Sequence, residues 1–362
     1  MPMVADEYTH VIGVDTHART HTYVVLDTRT GGIVDTATFP TSPAGVSRAL
    51  AWIDRRTSAS RLAAVEGTSS HGASLTEALQ QTEIPVVEAR PPRRADRGAR
   101  GKSDPIDAEA AARAVLRTDT ALLSWPRSGK IRSALRVLLA ARRSMDGQRT
   151  ASRNALTALL RTIDLGIDAR RPLTDKQIAA IAAWRHHPSD DIDKLIARGE
   201  AVRLARDVAD LTDKLEANHD ALRLHVSALA PSVLDIAGVG PVSAAVFLTA
   251  YSHVGRVRSE AAFASLAGAA PIPASSGNTS RHRLNRHGDR RLNSALETVA
   301  RVRLSYDPDT RAYKQRRLAE GKTGKEIKRM LKRYIARQIY RHLTATMTAG
   351  QLQRAAIGAG PG

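Results

Sequence analysis

The sequence predicts an α/β N-terminal domain, a middle region of long helices, and a mainly α-helical, strongly basic C-terminal domain. Three observations carry this. Short apolar runs bounded by turn residues alternate with helical patterns over the first ninety residues; two long stretches, about 131–160 and 192–229, have helical periodicity; and arginine and lysine crowd the chain beyond residue 280. The expected boundaries are 1–125, 126–230 and 231–345, with a disordered tail at 346–362.

The strands come first. Residues 10–15 (HVIGVD), 22–27 (TYVVLD) and 33–39 (IVDTATF) read as three strands joined by the turn-rich ARTH and TRTGG, an antiparallel meander. A helix at about 42–56 follows with Leu50 and Ile53 inward, then a strand at 61–66 (RLAAVE), a helix at about 71–82, a strand at 84–88 (IPVVE), and a helix opening at Asp104. The order βββαβαβα is that of the ribonuclease H and RuvC-like nucleases, in which the first and fourth strands are neighbours.

Four acids fall at telling places in that order. Asp15 and Glu66 end apolar runs, and Asp104 and Asp107 sit three residues apart in GKSDPIDAEAAAR, a spacing that puts both on one helical face. Carboxylates converging from separate elements in a basic chain are what divalent metals over a phosphodiester require. The plainer alternative is that Asp104, before Pro105, caps the helix while Asp107 favours the positive end of its dipole. His17, two residues past Asp15, reads as lining the turn, with proton transfer the other option.

Composition narrows the partners. At 362 residues the chain can hold two or three domains, and a net charge of +19 with a pI near 10.9 points to a polyanion. The absence of cysteine removes disulfides, thiolate zinc sites and cysteine nucleophiles. No secretory signal is read at MPMVADEYTH, and glycines, Pro241 and polar residues in 236–255 argue against a membrane span, so a cytoplasmic, nucleoid-associated protein is expected. Aromatic residues are 4% of the chain, which makes arginine contacts to phosphate a better guess than base stacking. The loop RPPRRADRGARGK offers Arg93, Arg94, Arg97, Arg100 and Lys102 for this, or is simply a solvated loop.

In the middle, residues 131–160 form an apolar stripe with an arginine-rich opposite face. In 192–229, Leu204, Val208, Leu211, Leu215, Leu222 and Leu229 make a heptad seam interrupted by Asn218, read either as a coiled-coil oligomerisation arm or as an intramolecular hairpin. Ala237–Pro241, with Gly238 and Gly240, has the form of a helix-hairpin-helix that admits a phosphate, or of a plain packing turn. Ser275 and Ser276 precede Gly277 and a dense set comprising Arg281, Arg283, Arg286, Arg290 and Arg291; a serine can attack phosphorus if guanidinium groups neutralise the phosphate, although serine-glycine turns are common. Residues 311–341 read as one helical run with Met330, Leu331, Tyr334, Ile335, Gln338 and Ile339 inward. Its opposite side, with Lys325, Lys328, Arg329, Lys332 and Arg333, is then a backbone-binding face.

These segments together resemble the insertion-sequence one-ten family of transposases, recombinases guided by a structured bridge RNA. VIGVDTH, AVEGT, KSDPIDA, AGVGPVSA, FASLAGAAPIPASSGNTSRHRLNRHGDRRL and the basic end helix carry the likeness over nearly the whole chain. The resemblance implies a RuvC-like domain in which Asp15, Glu66, Asp104 and Asp107 hold Mg²⁺, and a C-terminal domain in which Ser276 is the nucleophile, with Ser275 the adjacent candidate. It further implies a covalent serine-DNA intermediate, pairing of a guide RNA with donor and target DNA, and a homo-oligomer, dimer or tetramer, whose subunits share the site. Alternatives from other classes are a metal-dependent junction resolvase using water, a non-enzymatic nucleic-acid-packaging protein, and a sugar kinase or actin-like ATPase. The last lacks the second phosphate-binding hairpin it would need.

Overall fold

The computed structural model describes residues 2–58, 60–89, 103–127, 129–185, 187–273, 282–283, 285 and 288–358. The chain divides into two compact units, Met1–Arg127 and Ser128–Gly362.

The first unit opens with a helical turn, α1 (Val4–Glu7), and continues β1 (His10–Thr16), β2 (Thr20–Asp27), β3 (Ile33–Pro40), α2 (Pro43–Arg56), β4 (Arg61–Glu66), α3 (Ala73–Gln81), β5 (Val86–Ala89) and α4 (Asp104–Leu116). The sheet order is β3-β2-β1-β4-β5, with the meander antiparallel and β4 parallel to both β1 and β5. The first and fourth strands are therefore neighbours, as the sequence order implies, and Val14 pairs with Val65 one residue before Asp15 and Glu66.

Side-chain alternation splits β1 between two cores. Ile12 and Val14 join Tyr23, Trp52, Ile53 and Leu75 beneath α2 and α3, whereas Val11 joins Leu62, Ala64, Ala108, Ala111 and Ala112 beneath α4. Gly13 and Asp15 share the α4 side. A Cβ at Gly13 would run into the Ala108 carbonyl and lie 2.9 Å from the Ala112 Cβ, so only glycine admits α4 this close to the strand. The alanine run after Asp107 is the matching surface on the helix.

In the second unit α5 (Lys130–Thr162) and α7 (Ile192–Leu229) are antiparallel helices of 33 and 38 residues, linked through α6 (Asp175–Ala182). They pack on each other within the chain. The buried seam of α7 is Ala197, Ala201, Ala205, Val208, Leu211, Leu215, Asn218, Leu222 and Val226. Leu204 and Leu229 are only half-buried, because small alanines set the close approach in the first half and Val226 takes the inward place near the end. Asn218 is satisfied rather than disruptive: its Nδ2 donates to the Leu138 carbonyl (3.1 Å), and Arg142 donates to the Leu215 carbonyl (2.9 Å) beside it.

A 3₁₀ turn (Pro231–Asp235) leads to α8 (Pro241–Tyr251), α9 (Glu260–Leu266), the two-residue strands β6 (Ile272–Pro273) and β7 (His282–Arg283), α10 (Arg290–Tyr306), α11 (Pro308–Ala319) and α12 (Gly324–Gly358). One core joins Leu135 of α5 and Leu222 and Val226 of α7 to Phe247, Phe263, Leu296, Ile335 and Ile339, so the base of the helical arm belongs to the same core as the C-terminal helices. Among the described residues no helix is long and apolar enough to cross a membrane, and the apolar run near 236–255 supplies α8 to this core.

Three expectations change. The run 311–341 is two helices: Gly321, at φ +78°, ends α11, and Thr323 with Glu326 forms a reciprocal capping box that starts α12. The inward stripe of α12 is Ile327, Leu331, Ile335, Ala336, Ile339 and Leu343, with Tyr334 and Gln338 exposed. The tail expected from 346 is helical to Gly358, in keeping with the helix-forming residues of TATMTAGQLQRAA.

Substituting Gly13→Ala should lower unfolding stability by about 1–3 kcal/mol, the usual cost of overpacking, because α4 has to move. A denaturant titration of wild type and variant reads this directly. An unchanged midpoint would mean that α4 does not rest on the strand.

Candidate active site and family membership

Asp15, near the carboxyl end of β1, and Glu66, the last residue of β4, leave the sheet at the same edge, where open α/β sheets place their ligands. Both have the strand parity of the α4 side. Asp104 and Asp107 occupy the first turn of α4, and α4 is pinned to that side by Gly13.

The position that caps α4 is Ser103, whose side chain makes no capping hydrogen bond, and Asp104 is the first helical residue. Asp104 is thus not the cap. Its carboxylate lies 3.4 Å from His17 Nε2, and the same nitrogen lies 3.1 Å from Asp15 Oδ2. Asp15, His17 and Asp104 each offer a ligand atom within 4.8 Å of the others. The sequence leaves His17 between lining the turn and transferring a proton; two residues past Asp15 in the β1–β2 turn, its Nε2 stands between the carboxylates of Asp15 and Asp104.

Asp15 and Asp107 are buried, whereas the side chains of His17 and Asp104 are each 50% exposed. Burial pushes the Asp15 carboxyl above its usual value, His17 opposes through charge and hydrogen bond, and the charges of Asp104 and Asp107 add to the rise. Among the described residues no lysine or arginine ion-pairs with Asp15, Asp104 or Asp107. A buried carboxylate beside like charges, with a histidine but, among the described residues, no lysine or arginine partner, fits a divalent cation held by oxygen and imidazole donors. Glu66 stands at the same edge but outside the trio, and its neighbour Thr16 donates to the Glu66 backbone carbonyl at 2.8 Å.

The remaining sequence candidates lie elsewhere. Arg93, Arg94, Arg97, Arg100, Lys102, Ser275, Ser276, Arg281 and Arg286 fall outside the described residues, and Arg283 is described only as part of β7. Gly238, at φ +77°, faces α10: a Cβ there would lie 3.1 Å from the Val299 carbonyl, and Arg303 donates to Ala237 O at 2.7 Å. That turn is preceded by a 3₁₀ segment and closes on its own domain, whereas Gly240 has open space around it. Arg290, Lys325, Lys328, Arg329 and Lys332 line one cavity, Arg329, Lys332 and Arg333 line another, and Arg291 is exposed on the first turn of α10.

Two family models match the sequence. A DEDD-type IS110 transposase model covers residues 12–164, and a model described as the transposase IS116/IS110/IS902 family covers residues 230–315. The chain belongs to the IS110 family of transposases. No curated protein matches it. As an IS110-family transposase, it belongs to a class of enzymes that cut and rejoin DNA for an insertion sequence, and the first match spans Asp15, Glu66, Asp104 and Asp107.

The sign of the Asp15 shift gives a pH test. A folded-state pKa above the unfolded value makes the carboxylate destabilising once ionised, so stability falls as pH rises from the ordinary carboxylate range through the raised value. Asp15→Asn should therefore flatten that part of the pH-stability curve and melt higher than wild type at neutral pH without divalent ions. Added Mg²⁺ should raise the wild-type melting temperature, by ~2.7 kcal/mol of stability at a hundredfold excess over Kd, and leave the variant unmoved. Equal Mg²⁺ responses would remove Asp15 from the ion site.

Proposed function

We propose that this transposase cuts and rejoins DNA through a covalent serine-DNA intermediate, with Ser276 as the nucleophile and Asp15, Asp104 and Asp107, with Glu66 at the same edge, as the Mg²⁺ site. The observation that supports it best is the meeting of Asp15 and Asp104 around His17 at the edge of β1, a donor set that no lysine or arginine among the described residues ion-pairs. When bound, Mg²⁺ would supply charge neutralisation at the phosphodiester undergoing transfer. Asp15 and Asp104 would hold it, and His17, hydrogen-bonded to Asp15 and 3.4 Å from Asp104, would orient the Asp15 oxygens and carry a proton at Nε2. Ser276 Oγ would give up its proton and form the new ester to phosphorus while the bond to the leaving sugar oxygen breaks and that oxygen takes up a proton, conserving bond energy for rejoining.

A structured guide RNA would pair with donor and target DNA, leaving the protein to read backbone and shape. A homo-oligomer would bring Ser276 of one subunit to the carboxylates of another. The excess of basic residues supports a polyanionic partner but does not by itself choose between DNA and RNA.

Two substitutions separate the roles. Ser276→Ala should abolish the covalent protein-DNA adduct on denaturing gels, whereas a junction resolvase working through water would continue to cut. Asp104→Asn should lower strand cleavage by at least about a hundredfold, as loss of a charge-stabilising group commonly does, with DNA binding retained. Full cleavage by Asp104→Asn would return the acids to a purely structural role. RNA that co-purifies from cells carrying the flanking noncoding DNA should be one specific transcript, and a random population would count against guidance.

A further inference from the structure

In the second unit the start of α10 and the first turns of α12 enclose a cavity of about 810 Å³. Arg290, Lys325, Lys328, Arg329 and Lys332 line it, and among the described residues Glu297 is the one acidic lining residue. Its shape comes from backbone contact: a Cβ on Gly288 would collide with the Gly268 amide and lie 2.5 Å from the Gly268 Cα, so two glycines hold the end of α9 against the entry to α10.

The polar groups are organised. Asn293 donates from Nδ2 to the Ala267 carbonyl at 2.7 Å, which leaves its Oδ1 to accept from Lys332 Nζ at 2.9 Å. Glu297 meets Lys328 Nζ at 2.6 Å and Lys332 Nζ at 3.3 Å. One carboxylate thus bridges two ammonium groups beside three further cations. Glu297 is 38% exposed, so an incoming anion can reach the same ammonium groups. Among the described residues the cavity lining holds no aromatic side chain and five cationic ones, which favours a ligand recognised by charge.

We propose that this cavity seats a phosphate of a nucleic-acid backbone, and that Glu297 is a built-in stand-in for that phosphate, holding Lys328 and Lys332 ready until the backbone displaces it. This rests on the protein being a nucleic-acid-processing transposase and adds a site and a competitor to that reading. A carboxylate accepts from two ammonium groups much as a phosphate's oxygens do, and the phosphate has more acceptors to offer. The internal ion pair keeps the lysines ordered and damps indiscriminate binding, since each backbone contact must replace Glu297.

The test measures binding of the full-length protein to a labelled DNA duplex and, in a separate arm, to a labelled structured RNA, each across a salt series. Glu297→Gln, which preserves size, should tighten binding roughly three- to tenfold by removing the competitor. Lys328→Gln should weaken it and lower the log-log salt slope by about one. Lys325→Gln, on the exposed rim, should act in the same direction as Lys328→Gln without disturbing packing. The arm that responds identifies the source of the phosphate. Unchanged or weaker binding by a folded Glu297→Gln, or an unchanged salt slope in both lysine variants, overturns the proposal. Covalent adduct formation by wild type is scored in parallel: its presence with unresponsive variants defeats only the cavity, and its absence counts against the serine chemistry whatever the cavity does.

Discussion

The close approach of α4 to β1 at Gly13 governs the first unit. A helix normally stands off a strand by the depth of the side chains between them, and here one of those side chains is missing. Ala108, Ala111 and Ala112 keep the helix face shallow to match. As a result the first turn of α4 is delivered to the edge of the sheet where β1 and β4 end. Asp104 can then share His17 with Asp15, although the two acids lie in different elements far apart in sequence.

Burial of the Asp15 carboxyl, with a smaller addition from the nearby Asp104 and Asp107 charges, raises its pKa and costs stability once it ionises. Elsewhere the chain neutralises its acids locally: Asp35 with Arg56, Asp190 with Arg198, Glu260 with Arg337. At the edge of β1 the ion-pair partner among the described residues is instead a histidine, His17, which Asp15 and Asp104 share. A fold that gives up stability at a cluster of this kind follows a common relation between strain and function.

The second unit uses the same logic with the signs reversed. The glycine pair at 268 and 288 draws two backbones together, and α12 begins after Gly321 with its lysines beside α10. Glu297 then offsets part of a concentration of positive charge that would otherwise repel itself. The helical arm is held by ordinary close packing, with Asn218 and Arg142 satisfying backbone carbonyls inside it.

Much of this was determined by sequence alone, because it depends on local periodicity. Strand alternation in HVIGVD and RLAAVE, the βββαβαβα order, the lengths of α5 and α7, and the acids at strand ends are all written in near neighbours. The Thr323–Glu326 capping box was equally local, yet the continuous basic pattern across 311–341 concealed it. What only the tertiary structure decided are the contacts between distant segments. His17 joining Asp15 to Asp104, Gly13 admitting α4, Gly238 facing α10 and Glu297 bridging two lysines depend on which surfaces meet, and pairings of that kind leave no period in the chain.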